Sequence, residues 1–247
     1  MKIDILTIFP EMFEGILKSS ILKRAIEKEA VVITVHDFRK FSKNKHGKVD
    51  DTSYGGGAGM LLTVQPIVDC LKNISDYQKA HKIITSPCGA TYTQKKAQEL
   101  SKNPHLIIVC GHYEGFDERV LNYVDEEISI GDYILTGGEI AALTMVDSIV
   151  RLLPNVITKE SIEEESFSEP LLEYPQYTKP AEYDTYSVPS VLLNGNHEEI
   201  RKYRRFESLK KTYQKRPELL EQFICNQEDQ KFLNAIQRGI QNYEDLD

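Results

Sequence analysis

Ser86-Pro87-Cys88-Gly89, Gly111-His112-Tyr113-Glu114-Gly115 and Ile130-Gly131-Asp132-Tyr133-Ile134-Leu135-Thr136-Gly137-Gly138-Glu139 are three glycine-bearing turns, each preceded by a short apolar run. The runs at 82–85 (KIIT), 106–110 (LIIVC) and 126–130 (EEISI) read as buried strands. Glycine at a strand end lets backbone approach a ligand closely or adopt φ > 0, and neighbouring strand ends are where open α/β sheets bind ligands. Three such turns from separate strands point to one backbone-lined pocket. Upstream, 3–8 (IDILTI) and 31–36 (VVITVH) read as further strands. Between them, Pro10 and Glu11 open a helix carrying Ile16, Leu17, Ile21, Leu22, Ala25 and Ile26 at helical spacing. Helical patterns at 64–74, 94–100, 117–123 and 139–153 alternate with the strands, so the fold class is α/β, with a mostly parallel sheet covered on both faces.

The 247 residues are 40% hydrophobic with a formal charge of −8, enough apolar content to build the core of one large or two modest domains. No uncharged apolar stretch approaches the ~20 residues that span a bilayer. The opening MKIDILTIFPEMFE places Asp4 and Glu11 inside its apolar region and lacks a small-residue cleavage site, so it is not expected to be a signal peptide. Cys70, Cys88, Cys110 and Cys225 show no paired metal-ligand spacing; no metal site is expected, and they read as buried free thiols of a reducing cytosol. The charge is unevenly spread. Residues 201–216 (RKYRRFESLKKTYQKR) hold eight Lys/Arg and one acid, a local +7 that leaves −15 on the rest of the chain. Such asymmetry points to a local anion-binding surface on an acidic protein.

Composition changes after Pro154. Residues 158–189 are acidic, hold four prolines and show no apolar periodicity, which suits an extended connection. Asn196, with Glu198 and Glu199 behind it, caps a helix to about Lys215; Pro217 precedes a second, and 226–243 reads as a third. The expected organisation is a ligand-binding α/β domain over 1–160, a linker over 161–173 and a small helical domain over 174–247.

Standard nucleotide motifs are absent. No Gly-Lys-Ser/Thr completes a P-loop, and Gly55-Gly56-Gly57-Ala58-Gly59 neither fits GxGxxG nor opens a helix after a strand. The loop 39–60 combines Lys and Arg with Asp50-Asp51, Tyr54 and the glycine run, the mixture a nucleotide lid needs, although a solvated surface loop is the plain alternative. Arg151 stands four residues after Asp147 on an apolar helix, the spacing of a surface ion pair. In the basic helix, Arg201, Arg204 and Arg205 are interleaved with Tyr203, Phe206 and Tyr213, a pattern suited to phosphates.

Five segments, VDDTSYGGGAGM (49–60), LIIVCGHYEGFDERV (106–120), SIGDYILTGGE (129–139), DSIVRLLP (147–154) and LLNGNHEEIRKYR (192–204), resemble the bacterial tRNA (guanine-N1)-methyltransferases of the SPOUT superfamily, which modify guanosine 37. The likeness runs in order from about residue 3 to about residue 220. It implies a deep trefoil knot, a feature almost no fold contains, and S-adenosyl-methionine held by Ser86, Pro87, Gly111, Tyr113, Glu114, Ile130, Gly131, Asp132, Tyr133, Ile134, Leu135, Gly137 and Gly138. It also implies a cytoplasmic homodimer acting on tRNA, with a preference for a guanosine preceding the target.

On the substrate side the resemblance implies Asp50, Tyr54 and Gly57 beside the target guanine, Arg151 stabilising charge on its O6, and tRNA gripped by Arg201, Arg204 and Arg205. The family places a catalytic aspartate immediately before Ser-Phe, where this chain reads Glu165-Ser166-Phe167. Glutamate offers the same chemistry at nearly the same intrinsic acidity, but its extra methylene moves the carboxylate, so Glu165 is the expected base with Glu163 and Glu164 as neighbours able to take the role. Ser53 likewise stands where the family usually has proline. Two other readings stay open: a related knotted methyltransferase acting on another RNA or a ribose 2′-hydroxyl, and a non-catalytic RNA-binding relative.

Overall fold

The computed structural model describes residues 1–158, 165–167 and 169–246. The chain divides into two compact units, Met1–Thr158 and Lys159–Asp247.

The first unit is built on a five-stranded, all-parallel sheet. Its strands are β1 (Lys2–Thr7), β2 (Val32–Asp37), β5 (His81–Thr91), β6 (His105–Val109) and β7 (Glu126–Ser129), in the order β2-β1-β6-β5-β7. The two short strands β3 (Asp50–Asp51) and β4 (Leu61–Leu62) pair antiparallel outside it. Every residue of β6 is buried, as a central parallel strand covered on both faces requires. Side-chain alternation divides the core in two. Ile3, Ile5, Leu106 and Ile108 face one hydrophobic cluster, and Leu6, Ile107 and Val109 face the other.

Helices α1 (Glu11–Leu17), α2 (Ser20–Glu27), α3 (Val64–Asn73), α4 (Gln94–Leu100) and α5 (Glu139–Val150) cover the sheet. The single helix expected over 11–26 is two: the chain turns at Lys18-Ser19, and Ser20 adopts φ 48°. Serines compete for backbone hydrogen bonds, and Ser19 Oγ donates to Gly15 O at 2.5 Å. The periodic run 117–123 forms a 3₁₀ turn over Glu118–Tyr123 instead of an α-helix. Helix α5 is apolar on most of its circumference, with Ala141, Ala142, Met145, Val146 and Ile149 all buried.

In the second unit, α6 (His197–Lys215) packs on α7 (Gln227–Gln237) around Phe206, Leu209, Phe232, Leu233 and Ile236. The Asn196 side chain caps α6, and a reciprocal Asn226–Asp229 capping box starts α7. Within 158–189 a small hairpin joins β8 (Glu182–Tyr183) to β9 (Tyr186–Ser187). No helix among the described residues is long and apolar enough to cross a membrane.

Candidate active site

The turns that follow β6 and β7 flank β5, which does not end at 85 as expected but runs on to Thr91 with a break in its pairing to β7 between Thr85 and Ala90. Residues 86–89 in that break and the two following turns enclose one cavity of about 550 Å³. Ser86, Pro87, Gly111, Tyr113, Glu114, Ile130, Gly131, Tyr133, Ile134, Leu135, Gly137 and Gly138 all line it. Asp132 does not. The Tyr133 N–H donates to Gly131 O at 2.9 Å, a three-residue turn that leaves Asp132 exposed at its apex.

The turns are held by backbone at close quarters. Gly138 N–H donates to Gly111 O at 2.7 Å, and His112 bridges Gly137 in antiparallel fashion. A Cβ on Gly138 would stand 1.9 Å from Thr85 Oγ1 and 2.8 Å from the Gly111 nitrogen; one on Gly89 would stand 2.4 Å from Glu127 C and Ile128 N. Tyr113 adopts φ 59°, an uncommon conformation for a non-glycine residue that clusters at ligand sites. Tyr113, Tyr133 and Ile134 are exposed large apolar groups on the cavity wall.

Beneath the pocket lies a polar group that the sequence reading missed. Glu139 opens α5 yet is 1% exposed, placed where the helix amino terminus favours negative charge. Thr7 Oγ1 donates to its Oε1 at 2.7 Å and accepts the Phe9 N–H at 2.8 Å. The Oε2 of Glu139 stands 3.7 Å from His112 Nδ1, a buried atom with no hydrogen-bond partner among the described residues. His112 lines the cavity itself, and the histidine between Gly111 and Tyr113 was the available signal. Cys88 also lines the cavity and is exposed, Cys225 is half-buried, and only Cys70 and Cys110 are the buried thiols expected of all four. The cause is position: Cys88 sits in the break of β5 between Thr85 and Ala90, whereas Cys70 within α3 and Cys110 just after β6 belong to the hydrophobic clusters.

The loop 39–60 reaches this region through its return strand. Leu62 N–H donates to Gly115 O and Asp117 N–H to Leu62 O, at 2.9 and 2.8 Å, and a Cβ on Gly59 would meet the Glu114 side chain at 2.2 Å. Asp50 is half-buried opposite Leu62, Tyr54 is fully exposed at the loop tip, and Gly57 adopts φ 136°. None of the three lines the cavity. Arg151 ends α5, half-buried, its N–H donating to Asp147 O at 3.1 Å.

In the second unit a cavity of about 670 Å³ is lined by Glu165, Glu169, Tyr174, His197, Arg201, Arg204 and Arg205 among others. Glu163 and Glu164, like the expected boundary at 160, lie outside the described residues. The cations of 201–216 are extensively paired. Arg201 reaches Glu228 at 2.8 Å and Glu198 at 3.0 Å, Lys202 reaches Glu199 at 3.2 Å, and Arg205 reaches Asp229 at 2.7 Å and Glu169 at 2.8 Å. Lys210 pairs with Glu207 and Arg216 with Glu218. The Arg204 guanidinium lies 4.7 Å over the Tyr174 ring.

A parallel α/β unit with a glycine-lined cavity at its strand ends, joined to a helical unit carrying an arginine-lined cavity, defines a ligand-binding domain with an appended recognition module. The family model described as tRNA (Guanine-1)-methyltransferase TrmD matches residues 1–222. Proteins named tRNA (guanine-N(1)-)-methyltransferase are similar to almost the whole chain. That of Bacillus pumilus is 54% identical over 235 residues, covering 94% of this chain and 96% of its own, and that of Halalkalibacterium halodurans is 51% identical over 242, covering 96% and 98%. That of Bacillus cereus is 51% identical over 243, covering 97% and 100%. The chain belongs to the tRNA (guanine-1)-methyltransferase family.

Proposed function

We propose that the chain transfers a methyl group from S-adenosyl-methionine to N1 of guanosine 37 in tRNA. The observation that carries the reading is that twelve of the thirteen residues assigned to the cofactor by family likeness line one cavity, in a chain whose family match spans residues 1–222. The cavity, about 550 Å³, falls in the roughly 300–1,000 Å³ range of small-ligand sites. Its glycines leave backbone groups bare toward the interior, and Tyr113, Tyr133 and Ile134 offer apolar cover for a purine.

When bound, S-adenosyl-methionine supplies an electrophilic methyl group on a sulfonium. The acceptor N1 carries a proton that must leave as the methyl arrives. Glu165 takes that proton, and the Arg151 guanidinium meets the negative charge driven onto O6. Asp50, Tyr54 and Gly57 border the target base, while Arg201 and Arg204 meet the tRNA backbone. The knot, the cytoplasmic location and the preference for a preceding guanosine belong to the same reading. So does a homodimer in which Glu165 of one chain serves the pocket of the other.

The test is to incubate the protein with methyl-labelled cofactor and tRNA transcripts carrying G or A at position 37, then identify the labelled nucleoside. Label in 1-methylguanosine from the G37 transcript alone is expected. Label in a ribose 2′-O-methyl nucleoside, or label equal in both transcripts, would refute the reading.

A further inference from the structure

The segment that carries Glu165 is a built element of the second unit. Phe167 N–H donates to Leu171 O at 3.0 Å, Leu171 N–H to Glu169 O at 2.7 Å, and Glu173 N–H to Ser166 Oγ at 2.9 Å, so 165–167 is tied to 169–173. Phe167, two residues after Glu165, stands at φ 70°, a conformation that a non-glycine residue keeps only where its surroundings hold it. Its N–H is held by Leu171, and the residues that follow are tied to α6. Thr212 Oγ1 accepts from Leu172 N–H at 2.8 Å, Ser208 Oγ donates to Leu172 O at 2.5 Å, and Lys211 Nζ donates to Glu173 O at 2.9 Å.

Arg205 is the strongest of these ties. Its Nε and Nη2 donate to the two oxygens of Asp229 at 2.7 and 3.1 Å, a bidentate pair that fixes the guanidinium plane. Asp229 is fully buried and also accepts the Asn226 N–H, so it is itself immobile. The remaining nitrogen, Nη1, donates to Glu169 Oε2 at 2.8 Å, and Glu169 is bridged to Ser166 next to Glu165. A guanidinium only 26% exposed and fixed on a fully buried carboxylate is poorly placed to grip a phosphate, whereas Arg201, itself 52% exposed, pairs with carboxylates that solvent or a phosphate can displace.

We propose that Arg205 is a positioning residue: anchored on Asp229, it holds Glu169 and through it the 165–173 segment, so that the Glu165 carboxylate is presented in one place. This rests on Glu165 being the base. The likeness to the family counts Arg205 among the residues that grip tRNA. The geometry gives it a different task. Displacing a reacting group by about 1 Å costs up to a hundredfold in rate.

The test uses the full-length protein in single-turnover methyl transfer at saturating tRNA and cofactor, with tRNA affinity measured as a function of salt. Glu169→Gln is the leading variant, because the Glu169 side chain is 58% exposed and its replacement leaves the Arg205–Asp229 pair intact. It should lower the rate on the order of tenfold, and Arg205→Ala on the order of a hundredfold, with tRNA affinity and its salt slope unchanged. Arg205→Lys should rescue little, because one ammonium cannot span both carboxylates. The double variant Glu165→Gln/Glu169→Gln should be no slower than Glu165→Gln alone, since positioning matters only while there is a base to position. A purely structural role would instead give additive losses. Wild-type rate in Glu169→Gln beside a dead Glu165→Gln would overturn the clamp and leave the base assignment standing. Full activity of Glu165→Gln would overturn both. A salt slope flattened by about 0.9 in Arg205→Ala would restore the phosphate contact.

Discussion

Replacing Gly138 by alanine should damage the glycine-lined cavity with little direct conformational cost at residue 138 itself. Gly138 sits at φ −82° and ψ −4°, where alanine is at ease, so any effect comes from the space its methyl group needs. That space is occupied: the new Cβ would lie 1.9 Å from Thr85 Oγ1, 2.8 Å from the Gly111 nitrogen and 3.1 Å from Cys110 Cα. The threonine hydroxyl can rotate away, at the loss of its hydrogen bond to Gly111 N–H. The Gly111 backbone cannot rotate. Restoring an ordinary contact there requires the two turns to part by about 0.6 Å, which in a close-packed interior costs roughly 1–3 kcal/mol. Gly138 and Gly111 are themselves pocket wall, joined by the 2.7 Å bond from Gly138 N–H to Gly111 O. Separation of that pair therefore appears in ligand affinity as well as stability, as a loss of up to roughly 5- to 150-fold. The assay is calorimetric titration with S-adenosyl-methionine beside a thermal unfolding scan. Gly15→Ala serves as control, because Gly15 lies inside α1 with no atom of the described residues within 4 Å of its Cβ position, and there alanine should stabilise by roughly 0.5–1 kcal/mol. Wild-type cofactor affinity and melting temperature in Gly138→Ala would refute the reasoning from close approach.

Asp4 should make stability fall with acid. Burial alone would raise its carboxyl, but hydrogen bonds from His36, His105 and Lys2 hold it at about 2, so its contribution, on the order of 2 kcal/mol, is full above the unfolded value near 3.8 and lost as pH falls toward 2. Denaturant titrations should show Asp4→Asn less stable than wild type at pH 7, with the gap shrinking below about pH 4; a gap independent of pH would count against it. Cys88 should be alkylated readily and be protected by S-adenosyl-methionine, whereas burial pushes the Cys70 thiol up to about 12 and Cys110 upward as well, leaving both inert. Peptide mass spectrometry reads each site, and an unprotected Cys88 would put the cofactor elsewhere. Finally, inactive Gly131→Trp and Glu165→Gln chains, co-expressed with different tags, should regain up to about half of wild-type activity as a mixed dimer if each site takes its pocket and base from different chains; inactivity of a folded mixed dimer would assign both to one chain.

The parallel sheet was legible because its cause is local. A run such as 106–110 is apolar at every position, which only a strand covered on both faces tolerates. What escaped was made by partners far apart in the chain. Residues 165–173 lack periodicity and read as part of a linker, but Thr212, Ser208 and Lys211, some 36–40 residues on, supply their hydrogen bonds. The +7 of 201–216 is a true count, yet Glu169, Glu228 and Asp229 lie outside that window and turn much of the stripe inward. His112 and Glu139 are 27 residues apart and meet only because Gly137 folds back on the β6 turn.

The glycines show most clearly what a sequence conveys about a site. Each was assigned one of two roles, close approach or φ > 0, and the residues alone could not say which. Gly115 and Gly131 need the second, at φ 125° and 148°. Gly89 and Gly138 need the first: their conformations suit any residue, and it is neighbouring backbone that excludes a side chain. The distinction has a consequence for chemistry. A φ requirement is met by the glycine itself, whereas a close-approach requirement binds two segments together, β5 to β7 at Gly89 and the β6 turn to the start of α5 at Gly138. The pocket is thus defined by contacts between its loops more than by the shape of any one of them. Its affinity should therefore respond to substitutions such as Gly89→Ala or Thr85→Val that leave every cavity-lining conformation allowed but alter the spacing between strands.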